Sequence, residues 1–185
     1  MPEERIAKLK KKIAGMLENS SFAEDSIHSV NTLDWVMELR PDADQALQIA
    51  ALGHDIERAD DQRRVRSEGY NSFEQFKEAH AINSAEILSQ IMEEMGMDPA
   101  FTADVARLVA LHEAGGDDRE NVLKYADTLS FFQVSLPLFF DRHGPDITRK
   151  RLVWGYRKLL PELRQRVKDM EYPDPELKNL VLESI

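Results

Sequence analysis

The sequence predicts an all-α helical bundle folded as a single domain, on three observations. Apolar residues recur three and four positions apart, as on one face of a helix. Gly, Pro and Asp punctuate the chain at intervals of about one helix. No stretch has the strict alternation of a half-buried strand, and no linker, repeat or low-complexity segment is visible.

The elements follow in order. A first helix is expected from about Pro2 to Leu17, opening on proline and acidic residues as helix N-termini prefer. A second starts near Ser21 and ends before Pro41, since the residue preceding proline resists the helical conformation. A third spans about Asp42 to Arg58 and carries His54 and Asp55 near its end. The stretch from Ala59 to Asn71, rich in Arg and Asp, reads as a loop. Ser72 then caps a helix that Gly96 stops near Met95. Asp98-Pro99 opens the next, which carries His112 and ends at Gly115-Gly116. A helix from about Asp118 to Val134 carries Asp127. After Gly144-Pro145, Asp146 caps a helix to about Leu160, Pro161 starts another, and Pro173 to Pro175 introduces a short last one.

At 185 residues the chain can bury a sizeable core as one domain, residues 1–185. Its 24 basic and 34 acidic residues give a formal charge of -10, which argues against a nucleic-acid polymer bound through a basic face. A small anionic substrate is still compatible, because metal ions supply local positive charge. Without cysteine, disulfides and thiolate metal sites are excluded. The N-terminal "MPEERIAKLKKKIAGML" is charged and amphipathic, unlike a signal peptide, and Ser135 and Pro137 break the longest apolar run. A cytoplasmic protein with no membrane partner is expected; the oligomeric state is left open.

The functional signal is a series of potential metal ligands: His28, His54-Asp55, His80, His112 and Asp127. Four of the chain's five histidines belong to it. Phe73, Phe76, His80, Ser84, Ile87 and Ile91 form one helical stripe. Val105, Leu108 and His112 repeat the pattern, as do Leu123, Asp127, Phe131 and Val134, and Leu47, Ala50 and His54. His28 shares its stripe only with Trp35 among large apolar residues. A lone histidine on an apolar face is usually a hydrogen-bonded core residue. Six such groups on inward-facing stripes would be costly to bury unless paired or metal-bound. Nitrogen-rich ligands suit Fe, Mn, Co, Ni or Zn better than Mg or Ca.

The ordered set resembles the HD-domain superfamily of metal-dependent phosphohydrolases, over roughly residues 20–135. "SIHSV", "ALGHDIER" and "LKYADTLSFF" carry the matching residues, and "EAHAINSAEIL" and "LVALHEAGG" match the extra histidines of the two-metal branch. The resemblance implies a dinuclear site. His28, His54, Asp55 and Asp127 would bind one divalent ion, and Asp55 would bridge to a second held by His80 and His112. It further implies hydrolysis of a small phosphorylated metabolite or nucleotide by metal-bound hydroxide. Many members of the superfamily carry Lys three residues after the motif aspartate; here the position is Arg58, which can grip phosphate in a bidentate manner. Arg58 also reads as a cation favoured at a helix C-terminus.

Two basic groups are further candidates for substrate contact: Arg63, Arg64 and Arg66 in the loop, and Arg142, Arg149, Lys150 and Arg151 in the late helices. The loop group is favoured because it leaves the helix bearing His54 and Asp55. Tyr70 and Phe73 are read as a possible pocket wall, with core packing preferred for Phe73. Glu57 is read as a surface carboxylate and His143 as a solvated loop residue. Ser84 and Thr32 are read as hydrogen-bond partners of His80 and His28. Two other functions compete with hydrolysis: a di-iron oxygenase similar to inositol oxygenase, and a non-catalytic nucleotide-binding module. No motif is legible in the last fifty residues.

Overall fold

A computed structural model describes residues 3–185. The chain is helical throughout this range, with no strand among the described residues. The elements are α1 (Glu3–Leu17), α2 (Glu24–Leu39), α3 (Gln45–Gly53), α4 (Phe73–Glu94), α5 (Pro99–Ala110), α6 (Asp118–Ser130), α7 (Leu136–Lys158), α8 (Pro161–Lys168) and α9 (Pro175–Ser184). The expected start at Pro2 lies outside the described residues.

Capping chemistry sets most boundaries. Ser72 Oγ accepts from the Gln75 amide at 3.2 Å, and Asp98 Oδ1 from that of Phe101 at 2.9 Å. Asp117 and Glu120 form a reciprocal capping box at the start of α6. Gly96 ends α4 with φ 66°, the left-handed backbone that glycine adopts without a Cβ clash.

Helix α2 begins at Glu24 rather than near Ser21, and three further regions differ from the sequence reading, two of which shape the site. Helix α3 begins after Asp44, not Asp42, and stops at Gly53, so His54 and Asp55 occupy a turn that runs into a 3-10 segment over Ile56–Ala59. Helix α5 stops at Ala110, so His112 also lies just beyond a helix end. In both turns the imidazole Nδ1–H donates to the carbonyl three residues earlier, His54 to Ala51 at 2.8 Å and His112 to Val109 at 2.7 Å. The ring thereby caps a carbonyl of the helix's last turn; the Val109 carbonyl also accepts from the His112 amide at 3.3 Å. The third difference follows α6. A five-residue π-helical segment over Phe131–Ser135 leads directly into α7, and residues expected to be loop are helical up to a kink at Gly144, where φ is 71°.

The core is continuous from Ile6 and Leu9 of α1 to Leu177 and Val181 of α9. Helix α2 packs on α3 and α6, α3 on α5, α4 on α5, and α7 on α9. Gly53 lets the end of α3 lie against Leu88 of α4, since a Cβ there would stand 2.7 Å from Leu88 Cδ2. Leu180 and Val181 are buried, whereas Leu182 is exposed. No helix among the described residues is long and apolar enough to cross a membrane.

Candidate metal centre

Five segments deliver the six candidate ligands to one point: α2 brings His28, the turn after α3 brings His54 and Asp55, α4 brings His80, the turn after α5 brings His112, and α6 brings Asp127. All six are buried, none more than 8% exposed. They fall into two groups with ligand atoms close enough to share an ion: His28, His54 and Asp127; and Asp55, His80 and His112. These buried groups can hold a metal.

The fit is visible in the tautomers and the spacing. Each histidine has its Nδ1 engaged on the side away from the centre. His28 Nδ1 lies 2.8 Å from Ser130 Oγ, whose hydroxyl donates to the His28 carbonyl at 3.1 Å, so the ring is the donor of that pair. His80 Nδ1–H donates to Glu57 Oε1 at 2.6 Å. With the backbone contacts of His54 and His112, this leaves four Nε2 lone pairs facing inward. His28 Nε2 and His54 Nε2 are 3.2 Å apart, and His28 Nε2 and Asp127 Oδ1 are 3.1 Å apart. Acceptors this close repel unless a proton or a metal ion stands between them. Metal–ligand bonds of about 2.1 Å place neighbouring ligand atoms about 3 to 3.5 Å apart. His80 Nε2 is 2.7 Å from Asp55 Oδ1, and the buried His112 Nε2 has no hydrogen-bond partner.

The electrostatics run the same way. Burial alone would lower the His54 pKa, yet Asp55 and Asp127 outweigh it and raise it to about 9, so without a metal its Nε2 holds a proton that a bound ion would displace. Asp55 is held well below the usual carboxylate range against its burial, first by Arg58 and then by His54 and His80. Burial lowers His112, keeping its ring neutral. The carboxylates of Asp25, Asp55, Glu57, Glu113 and Asp127 outnumber their paired cations, Arg58, Lys77 and Lys158. A centre with surplus negative charge and inward lone pairs suits added cations.

The surrounding groups differ from the sequence reading in several respects. Glu57 is not a surface carboxylate. It is 1% exposed, orients His80 and accepts from the Val65 amide and the Asn83 side chain. Its position two residues after Asp55, in a tight turn that returns it to the site, was the available signal. The Ser84 and Thr32 hydroxyls are buried without partners, so they do not orient His80 or His28; Glu57 and Ser130 do. Glu113, next to His112, bridges Lys77 of α4 and Lys158 of α7. Arg58 is not merely a helix-end cation. Its Nη1 pairs with Asp25 Oδ1 at 3.1 Å and its Nη2 with Asp55 Oδ2 at 3.0 Å.

A cavity of about 540 Å³ opens over His28, His80, Asp127 and Arg58. From the loop group only Arg64 lines it; Arg63 and Arg66 are exposed outside it. From the late group Arg142, Lys150 and Arg151 line it, while Arg149 points to Ser184 and Glu183. His143 also lines it, its ring 4.3 Å from that of Phe139. Phe73 is 40% exposed and belongs to this wall, not to the core; Tyr70 is not part of it.

The chain belongs to the family described as a domain of unknown function, DUF4202, whose profile matches residues 9–181. Comparisons with curated proteins and with solved structures find no match.

Proposed function

We propose that this protein is a metal-dependent phosphohydrolase of the HD-domain type, acting on a small phosphorylated molecule at a dinuclear centre. The observation that carries the reading is the convergence of four inward Nε2 lone pairs and two carboxylates beneath a cavity lined with cations. The order of those residues along the chain is that of the two-metal branch of the superfamily. His28, His54, Asp55 and Asp127 would hold one ion, and Asp55, His80 and His112 the second. Two divalent ions in such a site lower the pKa of bound water and offset charge on a phosphoryl group.

The chain's own groups have distinct tasks. Glu57, Ser130 and the Ala51 and Val109 carbonyls fix the histidine tautomers. Asp25 and Asp55 hold Arg58 at the cavity floor, where its remaining N–H donors can meet a phosphate oxygen. Hydrolysis joins a water oxygen to phosphorus and breaks the ester P–O bond, and the proton released by water ends on the departing alcohol.

The test is elemental analysis of protein purified without chelators, as wild type and as His80→Ala, together with a phosphoester panel. The expectation is about two ions per chain, falling to about one in the variant, with turnover supported by Mn or Fe. One ion unchanged by His80→Ala would remove the second site. A strict iron requirement with O₂ uptake would replace hydrolysis by oxygenation, and a tight ligand without turnover would leave a binding module.

A further inference from the structure

The cations around the cavity are not equivalent. Arg58 is paired with Asp25 and Asp55, Lys77 with Glu113, and Arg142 with Glu24. Arg151 has neither a carboxylate partner nor a hydrogen bond among the described residues. It is held by aromatic faces instead: its guanidinium carbon lies 3.9 Å from the Phe131 ring centre, 4.6 Å from Trp154 and 5.9 Å from Phe73. A guanidinium held by its flat faces keeps its in-plane N–H edge free for a planar or tetrahedral anion. Gly155, one turn on, leaves the group its room, since a Cβ there would stand 3.2 Å from Arg151 Nη1. Arg151 lines the same cavity as His28, His80 and Asp127; burial, and then Arg58, lowers its pKa while Glu113, Asp127 and Asp55 oppose this. An arginine remains charged in such surroundings.

The wall beyond Arg151 is apolar. Helix α7 sets Ile147 and Trp154 on the same face as Arg151, and α4 sets Phe73 and Phe76 opposite. Ile147 and Phe73 are 51% and 40% exposed, high for side chains of their size. Apart from the candidate ligands, Ser135 and His143 are the neutral polar side chains lining the cavity, and the Trp154 indole N–H already donates to Glu74 at 3.1 Å. Beyond Arg151, the donors left for a polyhydroxylated body are the cations Arg64 and Lys150, and the apolar side chains offer its hydroxyls nothing in exchange for water. A ring would gain apolar contact and aromatic faces.

From this we infer that the substrate is a phosphomonoester of an apolar, ring-bearing alcohol, with Arg151 gripping its phosphate and the wall of Phe73, Ile147 and Trp154 receiving its body. The inference rests on the proposed phosphohydrolase reading for the place of the phosphate, but binding tests it apart from turnover. The probes, titrated calorimetrically into the metal-loaded protein, are 1-naphthylmethylphosphonate, naphthalenemethanol, inorganic phosphate and the phosphonate analogue of a pentose phosphate. The naphthyl phosphonate is expected to bind about tenfold or more tighter than either inorganic phosphate or the pentose phosphonate. Arg151→Met should weaken the naphthyl phosphonate about tenfold or more and leave naphthalenemethanol unchanged. Phe73→Ala, at a half-exposed position, should do the reverse, weakening both naphthyl ligands and sparing inorganic phosphate. Equal affinity for the pentose phosphonate, or an Arg151→Met protein that binds the phosphonate as wild type does, would overturn the inference. Tight binding of the phosphonate with no hydrolysis of the matching phosphate ester under Mn or Fe would sink the hydrolase reading while upholding this one.

Discussion

The two walls of the site are built on opposite principles. On the wall formed by α2 to α6, the ionisable side chains are tied in place. His28 is held by Ser130, His80 by Glu57, His54 and His112 by helix-end carbonyls, and Arg58 by two aspartates. On the α7 wall, Arg151 lies on rings without a carboxylate partner, and Ile147 stands half in the open. The difference teaches where each kind of ligand belongs. Rigid, pre-oriented lone pairs suit an ion that stays, because the ordering is already done before the ion arrives. A largely apolar wall whose cations Arg151 and Lys150 have no carboxylate partner among the described residues suits a molecule that enters and leaves.

The comparison can be broken by substitutions on either side. The largest effect is expected from Asp55→Ala. It removes the carboxylate grouped with His80 and His112, which also lies 3.8 Å from His28 Nε2 and 3.7 Å from His54 Nε2, and leaves Arg58 with one partner. Turnover should be abolished and metal content, read by elemental analysis, should fall; full activity in this variant would remove the mechanism. Glu57→Gln comes next. The amide can present its oxygen to the His80 Nδ1–H but carries no charge, so metal affinity should fall about 10–100-fold. Equilibrium dialysis against a metal buffer reads this, and an unchanged affinity would make Glu57 a mere space-filler. Ile147→Ser should have the smallest effect. Metal content should stay at the wild-type value while KM for an aryl phosphate rises by about tenfold or less. A loss of metal in that variant would mean that the two walls are not independent.

Much of the site was legible in the sequence because its parts are local. The six candidate ligands were visible as residue types at helical spacing, and the structure brings all six together. The caps at Ser72 and Asp98 were legible for the same reason, since a cap needs only a side chain and an amide three residues on. The placement of His54 and His112 was less so. Periodicity continued through both, yet each ring bonds a carbonyl of its own last turn, and the helix gives way to a turn there. Glu57 was misjudged because burial of a carboxylate depends on what folds over it, here Asn83 of α4 and the amide of Val65.

By itself, then, the sequence determined most of the helices, the caps at Ser72 and Asp98 and the identity of the inward-facing candidate ligands, all of which depend on neighbours within a turn or two. Tertiary structure alone decided which groups orient those ligands and which arginine faces the cavity. Ser130 meets His28 across 102 positions of chain, and Arg142 meets Glu24 across 118. Arg63 and Arg64 are adjacent, yet only Arg64 lines the cavity. No local spacing encodes such pairings, because they arise only when the helices have packed and their facing side chains have been matched.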